Sequence, residues 1–240
     1  MKETLYLSTA YLDDLMVRMA HHSTAIEGNS LTQGETKSVL IDGYVPRAID
    51  LRELNEVLNY KTFTKEMVRF LQEGREVNGE FIKEIHAVLC REAIESVPGK
   101  FKTQPNMVIG ADFTPSPPYR VPMDIEQWRQ DLDCQLKNSV DRKMMVEAIC
   151  RQHFRFERIH PFPDGNGRVG RALMVYSALQ QKLPPIVIPV DEKKKYINFL
   201  NTEDLNGFVE FCLALQQKEV ERIKILADER DKVLEIYTEE

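Results

Sequence analysis

The segment HPFPDGNGRVGR, from His160 to Arg171, gathers several groups suited to phosphate chemistry. His160 is the one side chain there that can take up a proton near neutral pH. Gly165, Asn166 and Gly167 stand just before a helix start. Glycines at such a point let successive backbone N–H groups turn inward as an anion nest, and the helix dipole adds positive charge. Arg168 and Arg171 are three apart, so the first helical turn puts them on one face. Two guanidinium forks beside a nest suit a polyphosphate better than a single carboxylate. Asp164 is the only acid of the loop, and beside a nest it would repel an anionic ligand unless a cation bridged the two. Mg²⁺ held by one carboxylate and the substrate's own phosphates answers that need. Phe162, the loop's one large apolar side chain, is expected to anchor it in the core. Each part has a plainer reading when taken singly: a structural histidine, a turn, a solvated helix face. Packed into one segment, they are the parts for in-line attack on phosphorus.

The elements that must hold this segment are overwhelmingly helical in pattern. Ser8 or Thr9 is placed to cap a helix bearing Leu12, Leu15, Val17 and Met19. A second short helix is expected over Ser23 to Glu27, stopped by Gly28 and Asn29. Thr32 and Glu35 have capping-box spacing. Asp50 resembles another helix start, followed at near-helical period by Leu54, Leu58, Phe63, Met67 and Phe70. Asn78 opens a helix with Phe81, Ile85 and Leu89 on one face. Residues 97–120, rich in proline and holding the short β-type pieces Lys100 to Thr103 and Asn106 to Ile109, read as a small hairpin or flap. Helices resume after Asp124, over Met144 to Phe156, Arg168 to Lys182, Lys193 to Leu200, and Leu205 to about Ile236. The expectation is an all-α protein with a β-hairpin flap: an N-terminal helical region over 1–77, a core over 78–215, and a C-terminal helix over 216–240.

Composition narrows the class. The chain has 240 residues, 42% hydrophobic and 29% charged, ordinary for a soluble globular protein. Its net charge of −6 argues against nucleic-acid binding, which needs a basic surface. Cys90, Cys134, Cys150 and Cys212 have no metal or redox spacing and read as reduced thiols. The acids Glu3, Asp13 and Asp14 near the start do not fit a secretory signal, and no apolar run is long enough to span a bilayer. A cytoplasmic protein without membrane contact is expected.

His160 to Arg171 resembles the signature of the Fic family, H-x-F-x-[D/E]-G-N-G-R-x-x-R, with every fixed position filled. VPGKFK from Val97, then Met107, Val108, Ile109 and Gly110, then Pro115, Pro117 and Pro118, resemble the flap that precedes it. Phe154 to Ile159 resembles the helix leading in. Many members carry Gly-x-Tyr/Phe-Arg at the flap entrance, where this chain has Gly99, Lys100, Phe101 and Lys102. STAIEGN, from Ser23 to Asn29, resembles the family's inhibitory motif, [S/T]-x-x-x-E-[G/N]. The likeness spans roughly Asn78 to Leu215 plus that motif.

The resemblance implies a helical Fic core that transfers AMP from ATP to a Ser, Thr or Tyr hydroxyl of a protein, possible self-modification included. It implies that His160 deprotonates the hydroxyl and that Asp164 holds Mg²⁺ (or Mn²⁺). Gly165 to Gly167, with Asn166, would bind the α and β phosphates, and Arg168 and Arg171 the remaining charge, with Val169 and Gly170 completing the stretch. The flap from Met107 to Gly110 would pair with the target strand. Tyr196 is a candidate for the adenine pocket, with core packing as its alternative. Glu27, on one face with Ser23, would pair with Arg171 and hold ATP in an unreactive pose. Alternatives are removal of AMP with Glu27 orienting a water, transfer of another nucleotidyl or phosphoryl group, and a non-catalytic nucleotide-sensing module. Family members often associate, so a homo-oligomer is a further expectation.

Overall fold

The first helix sets the frame. Ser8 accepts a hydrogen bond from the Tyr11 N–H at 3.1 Å, and the helix α1 runs over Thr9–Ile26. Tyr11, Leu15, Met19 and their neighbours at helical spacing are buried. No glycine or proline interrupts α1 between Ala20 and Ser23, so the two helices expected there are one, ending at Glu27 before Gly28 at φ +107°.

The computed structural model describes residues 2–108, 113–228 and 230–239. After α1 come α2 (Gln33–Lys37), which has the expected Thr32–Glu35 capping box, α3 (Leu51–Gln72) and α4 (Gly79–Leu89). Then follow α5 (Val121–Asn138), α6 (Arg142–Ile159), α7 (Asn166–Gln180), α8 (Lys193–Thr202) and α9 (Leu205–Ile225). Side-chain caps at Asp50, Asn78, Asp141 and Asp204 begin α3, α4, α6 and α9. α7 is the central helix, buried along most of its length and packed against α1, α3, α4 and α6. One apolar cluster joins α1, α3, α4, α5 and α7; a second joins α6, α7, α8 and α9.

Two further expectations change. The last helix ends at Ile225, and β2 (Leu234–Glu239) pairs antiparallel with β1 (Lys2–Leu7), Leu7 opposite Leu234. Ile236 and Thr238 face inward at period two, and the ladder with β1 satisfies backbone groups that a helix would have satisfied within itself. The second change is the flap. Its described residues form no strand pair. Prolines at 105, 115, 117 and 118 lack the N–H that a ladder needs. The segment instead clasps the loop before α7, with Lys102 N–H donating to Pro161 C=O at 2.9 Å and Ser116 N–H to Arg158 C=O at 3.3 Å. Ile109 and Gly110 lie outside the described residues.

Candidate active site

α6 delivers His160 and α7 delivers the nest. His160 caps the C-terminus of α6 in the left-handed region, φ +48°, which turns its side chain out of the helix. Its Nδ1 lies 3.2 Å from Glu157 C=O. A carbonyl only accepts, so Nδ1 carries the proton and Nε2 keeps its lone pair. Burial, with Lys102 adding to it, lowers the imidazole's pKa to about 4, so the ring is neutral at pH 7.

Gly165 turns the chain into α7 at φ +76°, and a Cβ there would lie 2.3 Å from Cys90 Sγ, so only glycine fits. The first bond of the helix runs from Val169 N–H to Gly165 C=O at 3.1 Å. The N–H groups of Asn166, Gly167 and Arg168 lie upstream of it, where helix geometry leaves donors open. Asn166 contributes its backbone alone. Its side chain accepts from Phe162 N–H and donates to Phe162 C=O, both at 2.8 Å, and so closes the loop. Phe162 is buried and stacked on His86, ring centroids 3.8 Å apart, which is the anchor expected of it.

Arg168 is 1% exposed, and among the described residues its Nε and Nη1 have no hydrogen-bond partner. Glu56 Oε1 at 3.6 Å and Asp164 Oδ1 at 3.7 Å balance its charge without closing its fork. A buried guanidinium with open donors fits an anionic ligand. Arg171 faces α1 instead: Nε donates to Ser23 Oγ at 2.9 Å, and Nη2 to Ser23 C=O at 2.9 Å and Glu27 Oε1 at 2.7 Å. Burial raises the pKa of the Glu27 carboxyl, but Arg171 and more distant cations outweigh it, so the net shift is downward and Glu27 is ionised. A Cβ on Gly167 would lie 2.4 Å from Glu27 Oε1, so the carboxylate rests against the helix turn that forms the nest.

Asp164 is well placed for a cation. Its carboxylate is 53% exposed at the loop's mouth, with Oδ1 accepting from Gly165 N–H at 2.6 Å. The described residues hold no group of three or more His, Cys, Asp or Glu able to bind a metal. A lone carboxylate beside an anion nest fits Mg²⁺ that takes its other ligands from phosphates and water, and does not fit a metal held by the protein alone.

Three expected binding residues are buried away from the nest, and two lie on the flap. Val169 is in the core, and Gly170 packs on α6, where a Cβ would lie 2.3 Å from Glu157 Oε1; neither faces the nest. Tyr196 is 1% exposed, its hydroxyl 2.8 Å from His153 Nε2 in the second core cluster, so it packs in the core. Met107 is 88% exposed and Val108 half-buried. Sequence reading missed Glu56, Lys102 and His86. Lys102 donates to Asn106 Oδ1 at 2.6 Å and to Ile159 C=O at 3.3 Å, and burial lowers its pKa to about 8. The one signal for His86 was a polar ring beside the apolar stripe of α4.

Residues 76–178 match the family model described as Fic/DOC family. Protein adenylyltransferase fic-1 of Caenorhabditis briggsae is 29% identical over 211 residues, 84% of this chain and 40% of that protein. Protein adenylyltransferase Fic of Drosophila virilis is 28% identical over 220 residues, 90% of this chain and 41% of that protein. The chain thus spans about two-fifths of the length of these curated relatives. A Fic domain containing signaling protein from Bacteroides thetaiotaomicron superposes with a TM-score of 0.81 at 24% identity, over 95% of this chain and 90% of that one. Fic-1 (aa134 - 508) from C. elegans superposes with a TM-score of 0.75 at 27% identity, over 92% of this chain and 66% of that one.

Proposed function

We propose that the chain, whose residues 76–178 match the Fic/DOC family model, belongs to that family and is a protein adenylyltransferase restrained by its own first helix. The reaction is transfer of AMP from ATP to a Ser, Thr or Tyr hydroxyl of a target protein. The hydroxyl oxygen bonds to the α-phosphorus, the bond from that phosphorus to the bridging oxygen breaks, and pyrophosphate leaves. The hydroxyl proton passes to Nε2 of His160. The observation that carries this reading is a neutral His160 with an open Nε2 ending α6 while the nest and the unpartnered fork of Arg168 begin α7.

The residues divide the work. The N–H groups of Asn166, Gly167 and Arg168 would hold phosphate oxygens, and Arg168 would take up charge on the polyphosphate. Arg171 would take the terminal phosphate once Glu27 lets go. Mg²⁺ (or Mn²⁺), held by Asp164, would neutralise phosphate charge and so ease departure of pyrophosphate. Met107 and Val108 would present the flap to the target strand. Residues 78–215 would be the catalytic core and 1–77 the regulatory part. No helix among the described residues is long and apolar enough to cross a membrane, and the four cysteines are unpaired. Free thiols suit a reducing compartment, which supports a cytoplasmic enzyme.

The inhibitory reading rests on competition. Glu27 occupies the donors of Arg171 that a terminal phosphate would need, and the like charges would repel. A second reading, removal of AMP from a modified protein, draws on the same carboxylate, which is ionised, 39% exposed and able to orient a water.

The test uses ATP labelled on the α-phosphate, Mg²⁺ and a cytosolic extract. Glu27→Gly should raise protein labelling at least about fivefold, the lower end of ordinary regulatory coupling. In that background, His160→Ala should cut labelling about 10²–10⁴-fold, the usual contribution of general base catalysis, and Arg171→Ala should abolish it. Labelling by Glu27→Gly no greater than by wild type would refute the brake. If no variant labels protein while the wild type strips AMP from a modified protein, the second reading stands.

A further inference from the structure

We propose that His86 is a positioning residue that sets the orientation of the Asp164–Gly165 peptide, and through it the aim of the Asp164 carboxylate. This deepens the reading of Asp164 as the cation ligand and rests on it.

His86 lies in the last turn of α4 and is fully buried. It joins two segments remote from it in sequence. Gly99 N–H, at the flap entrance, donates to Nδ1 at 2.7 Å. An amide N–H only donates, so Nδ1 is the bare nitrogen and Nε2 carries the proton. Nε2 lies 3.0 Å from Asp164 C=O and donates to it. One tautomer therefore satisfies both contacts, and Gly99 selects it.

The bond to Asp164 has a leverage that its length alone does not reveal. Asp164 C=O and Gly165 N–H belong to one planar peptide. His86 holds the carbonyl end at 3.0 Å, and the Asp164 carboxylate accepts from the N–H end at 2.6 Å. If the peptide turned about its axis, the N–H would swing away and the carboxylate would lose the contact that aims it. Gly165 sits at φ +76° with open space denied by Cys90, so the turn has one glycine conformation to keep and needs a fixed peptide before it.

The ring is itself held. It stacks on Phe162 at 10° between planes, and Phe162 is gripped through its backbone by the Asn166 side chain. Gly99 lies tight on α4, where a Cβ would meet Ala87 Cβ at 3.1 Å and Lys83 C=O at 3.2 Å. A histidine so fixed can fix another group. This matches the way outer partners of a metal site orient the ligands they touch.

The test separates the two ring nitrogens in the full chain with Glu27→Gly. In His86→Gln the amide nitrogen reaches as Nε2 did and still donates to Asp164 C=O. In His86→Asn the oxygen can still accept from Gly99, but nothing reaches Asp164. ATP binding is measured by calorimetry with and without Mg²⁺, which needs no target and no turnover. His86→Asn should weaken ATP binding about 10–100-fold with Mg²⁺, the usual effect of losing an outer partner of a metal ligand, and less than about twofold without it. His86→Gln should recover most of the loss. Equal weakening with and without Mg²⁺, or none, would overturn the proposal, since a merely structural histidine would not distinguish the two conditions. Nitrogen chemical shifts of His86 in the unmutated protein give a check free of any folding defect: a protonated Nδ1 would also overturn it. Absence of AMP transfer alongside Mg²⁺-dependent binding would count against the adenylyltransferase reading and leave His86 standing.

Discussion

His160 illustrates how a short contact and burial act together on one residue. The Glu157 carbonyl chooses the tautomer, and the loss of water around the ring disfavours the charged form. An ordinary histidine would lose its free base below about pH 6.5. Here the imidazole's pKa is lowered to about 4, so the neutral form persists well below that. In the Glu27→Gly background the rate of AMP transfer should stay nearly flat from about pH 8 to 5.5 before an acid limb near the lowered value. An acid limb centred near the ordinary histidine value would show that the ring is solvated in the active protein. Arg171 shows the same logic with opposite sign. Burial works against its charge, Glu27 outweighs that, and the guanidinium stays firmly protonated.

At the level of elements, α1 has two duties. Its C-terminal end carries Ser23 and Glu27 to Arg171, and its earlier turns are tied to α9 through Glu219. Arg18 donates to both oxygens of Glu219, at 2.5 and 3.0 Å, and Tyr11 also donates to Glu219 at 2.5 Å, all in the interior. Asp14 adds a further contact to Arg18 at 2.7 Å. Breaking one side of a buried pair strands a charge, at a cost of about 3–5 kcal/mol. Glu219→Ala should therefore lower the free energy of unfolding in denaturant by about that amount. The joint change Arg18→Met with Glu219→Leu should lose much less, because no charge is left unmatched. If the single and joint changes cost the same, packing rather than charge holds α1 to α9. The flap follows a different principle. Rich in proline, its described residues form no ladder of their own and are held to the body by bonds from Gly99 N–H to His86 and from the N–H groups of Lys102 and Ser116.

Across the whole molecule, acid should be destabilising for a countable reason. Burial lowers the pKa of His22, His86 and His160 to about 4 and that of His153 to about 3. In the unfolded chain these rings take up protons near pH 6.5. Between that point and the folded values, the unfolded state binds protons that the folded state refuses, so stability falls as pH falls. Glu157 opposes this, since burial raises its carboxyl to about 7 and the folded chain holds its proton more tightly. One such group stands against five histidines, since burial lowers the pKa of His21 as well. The melting temperature should drop by at least about 4 °C between pH 7.5 and pH 5. A melting temperature unchanged or higher at pH 5 would mean that these rings are hydrated in solution.

Much was decided by neighbours in sequence. The chemistry of His160 to Arg171 is legible because its parts are contiguous and a helix start organises them. Caps at Ser8, Thr32, Asp50 and Asn78 are legible because a side chain two or three residues away satisfies one of the helix's first donors. The pairing of Glu27 with Arg171, 144 residues apart, was reachable only through the resemblance of a short motif, and the fold supplied its geometry. Other features came from the tertiary structure alone. Period and propensity tell that a residue is buried, not what it meets. Hence Tyr196 went to the core, Asn166 turned its side chain to Phe162, and His86 joined the flap entrance to the loop. The strand at the C-terminus belongs here too. LEIYTE can continue a helix or alternate as a strand, and only β1, more than two hundred residues earlier, offers the backbone partners that settle it.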